Sequence, residues 1–186
     1  MPKAGTLFAE AIAVEKSSSD PIGRLRPQGV SIIGIDPGAS GGIALLQPMH
    51  GSPNSVQSTG MPDTERDIWE WLRTSLSSVN FAVIEQVSGY IGEKQPGSAM
   101  FKFGMSYGML RGFLIAAGVQ FEQATPQKWQ KALGITSRKK EETKTQWKNR
   151  LKASAQQIFP DLKITLATAD ALLIAEYARR RWQEIK

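Results

Sequence analysis

Hydrophobic and polar positions divide the chain from residue 30 onward into segments with clear periods. Val30 to Ile35 is an apolar, β-branched run that predicts a strand ending at Asp36-Pro37-Gly38. A glycine-rich turn (Gly38, Gly41, Gly42) leads into Ile43 to Leu46, which reads as its hairpin partner, and Ser55 to Met61 reads as a weak third strand. Ile68, Leu72 and Leu76 recur every four residues and predict a helix whose N-cap is Asp63. Phe81 to Val87 is continuously apolar except for Glu85 and Gln86, the pattern of a strand covered on both faces.

Beyond a loop from Ser88 to Gly97, a helix is predicted from Ser98 to Ala117, with Gly104, Gly108 and Gly112 every four residues. That spacing most simply suits internal packing of the helix on a sheet. Val119 to Gln123 reads as a strand. Thr125-Pro126 starts a short helix closed by Gly134. A long amphipathic helix is predicted from Arg138 to Phe159, with Trp147, Leu151, Ala155 and Ile158 as its docking stripe, and Pro160 stops it. A last helix begins near Thr168 and runs to Arg181. The order suits an α/β domain, a mixed sheet flanked by helices, over residues 29–186. Residues 1–28, with Ser17-Ser18-Ser19-Asp20-Pro21 and Pro27, read as a poorly ordered tail.

Composition narrows the chemistry. The chain has no cysteine and one histidine, His50, so thiol catalysis, cysteine zinc sites and histidine-based triads are disfavoured. Any reaction has to run on carboxylates, lysines and a hard cation. No apolar run approaches the roughly 20 residues that span a bilayer, and Leu7 to Val14 is too short for a signal peptide. The net charge of +6 is concentrated: Pro126 to Lys163 holds ten Lys or Arg against three acids. Such a segment suits a polyanionic partner, or a solvated helix that aids solubility.

Three acids stand in apolar surroundings: Asp36 at a strand end, Glu85 within a strand, and Asp170 in the final helix. Ionised carboxylates there are costly without donors or a cation. Brought together they would repel one another unless a divalent metal neutralised them. Singly, each also has an ordinary reading, as turn residue, solvated strand end or partner of the helix dipole. Lys140, Lys144, Lys148 and Lys152 recur every four residues and form one stripe on the predicted long helix, suited to a phosphate backbone.

Ile33-Gly34-Ile35-Asp36-Pro37-Gly38, Val83-Ile84-Glu85-Gln86-Val87 and Ala169-Asp170-Ala171-Leu172-Leu173-Ile174-Ala175 resemble, in order and approximate spacing, the motifs of RuvC-type Holliday junction resolvases. Glu85 to Tyr177, with Phe103 to Gly108 and Lys128-Trp129, is also similar to phage, bacterial and plastid relatives of the monokaryotic chloroplast type. The resemblance covers about residues 30 to 180. It implies a ribonuclease H-like fold and cleavage of branched DNA, the four-way junction, by a homodimer. It further implies two Mg²⁺ or Mn²⁺ ions held by Asp36, Glu85 and Asp170. Lys144 becomes a candidate catalytic lysine, and Lys128, Lys140, Lys144, Lys148 and Lys152 candidate DNA contacts. The Ser88–Gly97 loop, with Tyr90, would approach the junction centre. The implied compartment is the cytoplasm of a bacterial or phage-infected cell, or an organelle.

One departure stands out. The family carries a fourth ligand, Asp or His, a few residues before the last acid, where this chain has Thr165, Leu166, Ala167 and Thr168. A junction-binding protein with a weakened nuclease site is therefore the main alternative, and an RNA-processing nuclease on the same fold is another. A sugar-kinase or actin-like phosphotransferase also opens on a strand followed by Asp and Gly. It needs two duplicated domains, and 186 residues without a repeat are too few.

Overall fold

The computed structural model describes residues 29–49, 52–87 and 97–185. The N-terminal tail, His50 and loop residues 88–96 lie outside the described residues. The elements are β1 (Ile32–Asp36), β2 (Gly42–Met49), β3 (Ser52–Gly60), α1 (Glu65–Leu76), β4 (Phe81–Glu85), α2 (Gly97–Ala116), β5 (Gln120–Ala124), α3 (Pro126–Ala132), α4 (Lys144–Ile158) and α5 (Leu166–Glu184). They form one five-stranded sheet in the order β3-β2-β1-β4-β5. β1, β2 and β3 make an antiparallel meander, whereas β1, β4 and β5 run parallel.

Alternation along the strands sorts the core into two layers. Ile33, Ile35, Ile43, Leu45, Ala82 and Ile84 face α1 and α2 with Ile68, Leu72, Leu76, Leu110 and Leu114. Ile32, Ala44, Leu46, Phe81 and Val83 face the other way, towards α3, α4 and α5. Counting on by twos puts Asp36 and Glu85 on the α5 face. Ile35 pairs with Ile84, so these two acids end neighbouring strands at one edge of the sheet.

α5 lies directly on β1 because residue 34 is glycine: a Cβ there would sit 2.2 Å from Ala175 N and 2.4 Å from Ala171 O. The helix is buried all round from Thr168 to Ala178, between the sheet and α4. Its start lies earlier than the periodicity predicts. Thr165 is the N-cap, and a capping box with Thr168 (Thr168 N to Thr165 Oγ1, 3.2 Å; Thr165 N to Thr168 Oγ1, 3.0 Å) begins the helix at Leu166. α4 starts later than predicted, for the same kind of reason: Thr143 and Gln146 form a capping box, so Lys140 precedes the helix and leaves the stripe. Trp147, Leu151, Ala155 and Ile158 pack on the core as their spacing predicts. Thr64, not Asp63, caps α1, accepting from Asp67 N at 3.1 Å.

The glycines of α2 do not pack on the sheet. A Cβ at Gly104, Gly108 or Gly112 would meet nothing within 4 Å among the described residues, and Phe101, Met105 and Ile115 are exposed beside them. No described helix is long and apolar enough to cross a membrane.

Candidate active site

Asp36, Glu85 and Asp170 reach the same corner of the molecule from β1, β4 and α5. Their register explains the meeting. Asp36 lies two residues past Gly34, and Asp170 lies one residue before Ala171, whose carbonyl touches that glycine. Glu85 sits beside Ala124, the last residue of β5, and α3 begins two residues later with Pro126. The short helix turns back and delivers Trp129, fully buried, onto Glu85: Trp129 Nε1 donates to Glu85 Oε2 at 2.8 Å. From α4, Lys148 Nζ donates to Asp170 Oδ2 at 2.5 Å. Gly38 N donates more weakly to Asp36 Oδ1 at 3.3 Å.

The four charged groups act on one another. Burial raises the pKa of Asp36, and the charge of Asp170 raises it further; Lys148 and the Gly38 N–H only partly offset this. Glu85 is pushed up to about 7, first by burial and then by Asp36, against the stabilising indole hydrogen bond of Trp129. For Lys148, burial favours the neutral amine, but Asp170, Asp36 and Glu85 together outweigh it and hold the ammonium above its usual range. The cluster is thus anion-rich, with one lysine as counter-cation.

The donor chemistry fits a hard divalent cation, which takes carboxylate oxygens and waters. Asp170 Oδ1 adds to that fit, being buried without a hydrogen-bond partner. As the side chains stand, however, no three His, Cys, Asp or Glu residues among the described residues are grouped closely enough to hold a metal ion. Thr165, Leu166, Ala167 and Thr168 form the first turn of α5 and its cap. Leu166 is exposed, while Ala167 lies against the paired glycines of β2 and β3: its carbonyl would be 2.8 Å from a Cβ on Gly42, and its methyl 3.5 Å from one on Gly60. Gly42 pairs with Asp36, so residue 167 is nearer than residue 166 to the acids' end of the sheet.

The lysines fall in three places. Lys148 enters the carboxylate cluster; Lys144, the lysine favoured for that place from the sequence, stays exposed at the first position of α4 and makes no ion pair among the described residues. Lys152 is half-buried farther along the same helix. Lys128 is pinned to Glu122 Oε1 at 2.7 Å, in a network where Tyr177 Oη and Arg181 Nε also donate to Glu122. The sequence reading missed Trp129 as a partner of Glu85, since nothing in the spacing of two residues 44 apart signals that bond. It also missed Arg150, which donates to Glu142 and to the carbonyls of Thr136 and Ser137 and stacks on Trp147, fastening the α3–α4 connection to α4.

With the corner of three acids described, the fold can be placed. A mixed sheet in this order, flanked by helices on both faces, is the ribonuclease H-like α/β architecture. Within it, the chain is similar to Thermus thermophilus RuvC, with a TM-score of 0.50 and 15% identity over 83% of this chain and 96% of that one. It is likewise similar to T. thermophilus RuvC in complex with Holliday junction substrate, with a TM-score of 0.52 and the same identity and coverage. At that identity the likeness establishes the fold. No protein-family model and no curated protein matches the chain.

Proposed function

We propose that residues 29–186 form a RuvC-type nuclease domain that hydrolyses phosphodiester bonds in branched DNA, the four-way junction being its substrate. The observation that carries this reading is the convergence of Asp36, Glu85 and Asp170, from three separate elements, on one buried, mutually repelling cluster. Those three acids would hold two Mg²⁺ or Mn²⁺ ions. Bound there, the ions would supply a polarised water and neutralise charge on the leaving oxygen. The protein's own part is positional. Trp129 and Gly38 orient Glu85 and Asp36, and Lys148 balances charge within the cluster and is the lysine nearest a phosphate bound there. Lys144, Lys152 and Lys128 would contact the DNA backbone outside the cluster, with Lys140 on the segment before α4.

A homodimer fits this role, since two symmetric nicks resolve a four-way junction. The open glycine face of α2, flanked by exposed Phe101, Met105 and Ile115, is the surface on which a second copy would pack. A second reading, a junction-binding protein with a weakened nuclease site, rests on the absence of an acid or histidine from Thr165 to Thr168. Labelled four-way junction, linear duplex and RNA, each incubated with the protein and Mg²⁺ or Mn²⁺, separate the readings. Paired nicks in the junction alone support the nuclease; tight junction binding without cleavage supports the second reading; preferred cleavage of RNA overturns both.

A further inference from the structure

Each of the three carboxylates already has one oxygen engaged by a protein donor. Asp36 Oδ1 accepts from Gly38 N, Glu85 Oε2 from Trp129 Nε1, and Asp170 Oδ2 from Lys148 Nζ. Asp170 Oδ1 is left buried and without a partner. The firmest of these arrangements is on Glu85. Its donor is an indole with 0% exposure, set in the core beside Ala124 and Leu133. That indole rides on a helix capped by Thr125 and started by Pro126. A neutral, rigid donor of this kind cannot be exchanged for water as a surface side chain can. It fixes the carboxylate plane of Glu85 and leaves Oε1 as the oxygen free for a ligand.

Single-oxygen ligation distinguishes between cations. Mg²⁺ and Mn²⁺ favour octahedral sites with one oxygen per carboxylate, completed by waters, whereas Ca²⁺ is larger, takes six to eight oxygens and readily draws both oxygens of a carboxylate. For Ca²⁺ to gain the second oxygen of Glu85, the bond to Trp129 has to break within a packed core. We propose that Trp129 is a positioning residue that holds Glu85 to one-oxygen ligation and thereby makes the three-carboxylate site selective for a small octahedral dication over Ca²⁺. The inference rests on the metal-dependent reading above. It adds to that reading a named residue through which the choice of ion is made.

The test uses the full chain without DNA and measures Mn²⁺ and Ca²⁺ binding by calorimetry for wild type, Trp129→Phe and Asp170→Asn. Phenylalanine keeps a ring in the core and removes the N–H. The expected result is that wild type prefers Mn²⁺, and that Trp129→Phe narrows the Mn²⁺-to-Ca²⁺ ratio roughly tenfold, the lower end of the usual cost of removing an outer hydrogen-bond partner from a metal ligand. Equal weakening of both ions, with the ratio unchanged, overturns the proposal, because that is what simple loss of packing would do. If Trp129→Phe fails to fold, infrared difference spectra of the wild type decide, with ¹³C-carboxylate glutamate and Glu85→Gln as reference. A wide separation of the two Glu85 carboxylate stretches on Mn²⁺ loading supports one-oxygen ligation, and a narrow, bidentate separation overturns it. Mn²⁺ binding that Asp170→Asn abolishes but whose ion preference Trp129→Phe leaves intact sinks this inference alone. Absence of Mn²⁺ binding to the wild type sinks it together with the metal-dependent reading.

Discussion

At the scale of single residues, the site depends on one glycine that carries no chemistry. Gly34 lets α5 rest on β1, and that contact sets the distance from Asp36 to Asp170. A methyl group at residue 34 would lie inside the van der Waals radius of backbone atoms of Ala171 and Ala175, which cannot rotate away as a side chain could. Gly34→Ala is therefore expected to cost at least the roughly 1–3 kcal/mol typical of overpacking, read as a lower midpoint in urea denaturation. Glycine-to-alanine changes at Gly104 or Gly112 should be neutral or slightly stabilising, because their Cβ positions are open and helix propensity improves. Asp36 and Glu85 were legible in the sequence because an acid closing an apolar strand is conspicuous against period-two alternation. The lysine of the cluster was not. Lys144 and Lys148 share a stripe and differ by one turn, and only the docking of α4 on α5 decides which one reaches Asp170.

At the scale of elements, patterning located the strands and the buried stripes, and capping chemistry set the ends that patterning misjudged. The charged run Arg138 to Glu142 prolongs the apparent period of α4, but the Thr143–Gln146 box starts the helix after it. The Thr165–Thr168 box likewise adds a turn to α5 ahead of its apolar stretch. The far half of α5 carries a pH-dependent clamp. Burial of Glu176 favours its neutral form, but hydrogen bonds from Arg179 and Arg180 more than offset this and lower its pKa. A depressed carboxyl contributes stability above its unfolded pKa of about 4.5 and loses it as pH falls through the lower folded value. Wild type should therefore lose stability on acidification below about pH 4.5 more steeply than Glu176→Gln, measured as denaturation midpoints from pH 3 to 6. An identical acid slope in the two proteins would show that the arginine pairs contribute nothing. On α4, replacing Lys144 and Lys152 with Ala should flatten the salt dependence of junction binding by about one unit of log–log slope per lost phosphate contact. An unchanged slope leaves the stripe as a solvated face.

At the scale of the whole molecule, the sheet has two differently used sides. One face, with α3, α4 and α5, gathers the acids and most of the lysines. The other, with α1 and α2, ends in the exposed glycine face of α2. The fold class followed from element order alone, whereas the orientation of that glycine face did not, because a four-residue glycine period serves equally for packing inwards and outwards. If a second copy packs there, Gly108→Glu should leave the fold intact, its Cβ meeting nothing within 4 Å among the described residues, yet shift sedimentation from dimer to monomer. Wild type sedimenting as monomer, with and without junction DNA, would rule the interface out.

The central claim is that Asp36, Glu85 and Asp170 form the centre of a metal-dependent nuclease. It is tested most directly by measuring cleavage and binding of one labelled four-way junction in Mg²⁺ or Mn²⁺ by wild type, Asp36→Asn and Glu85→Gln. The account predicts nicks by the wild type only when the divalent ion is present, and loss of cleavage in both variants with junction affinity largely kept, since phosphate contacts come from the lysines. Undiminished cleavage by either variant, or joint loss of cleavage, junction binding and fold, would contradict it and leave the acids as structural groups.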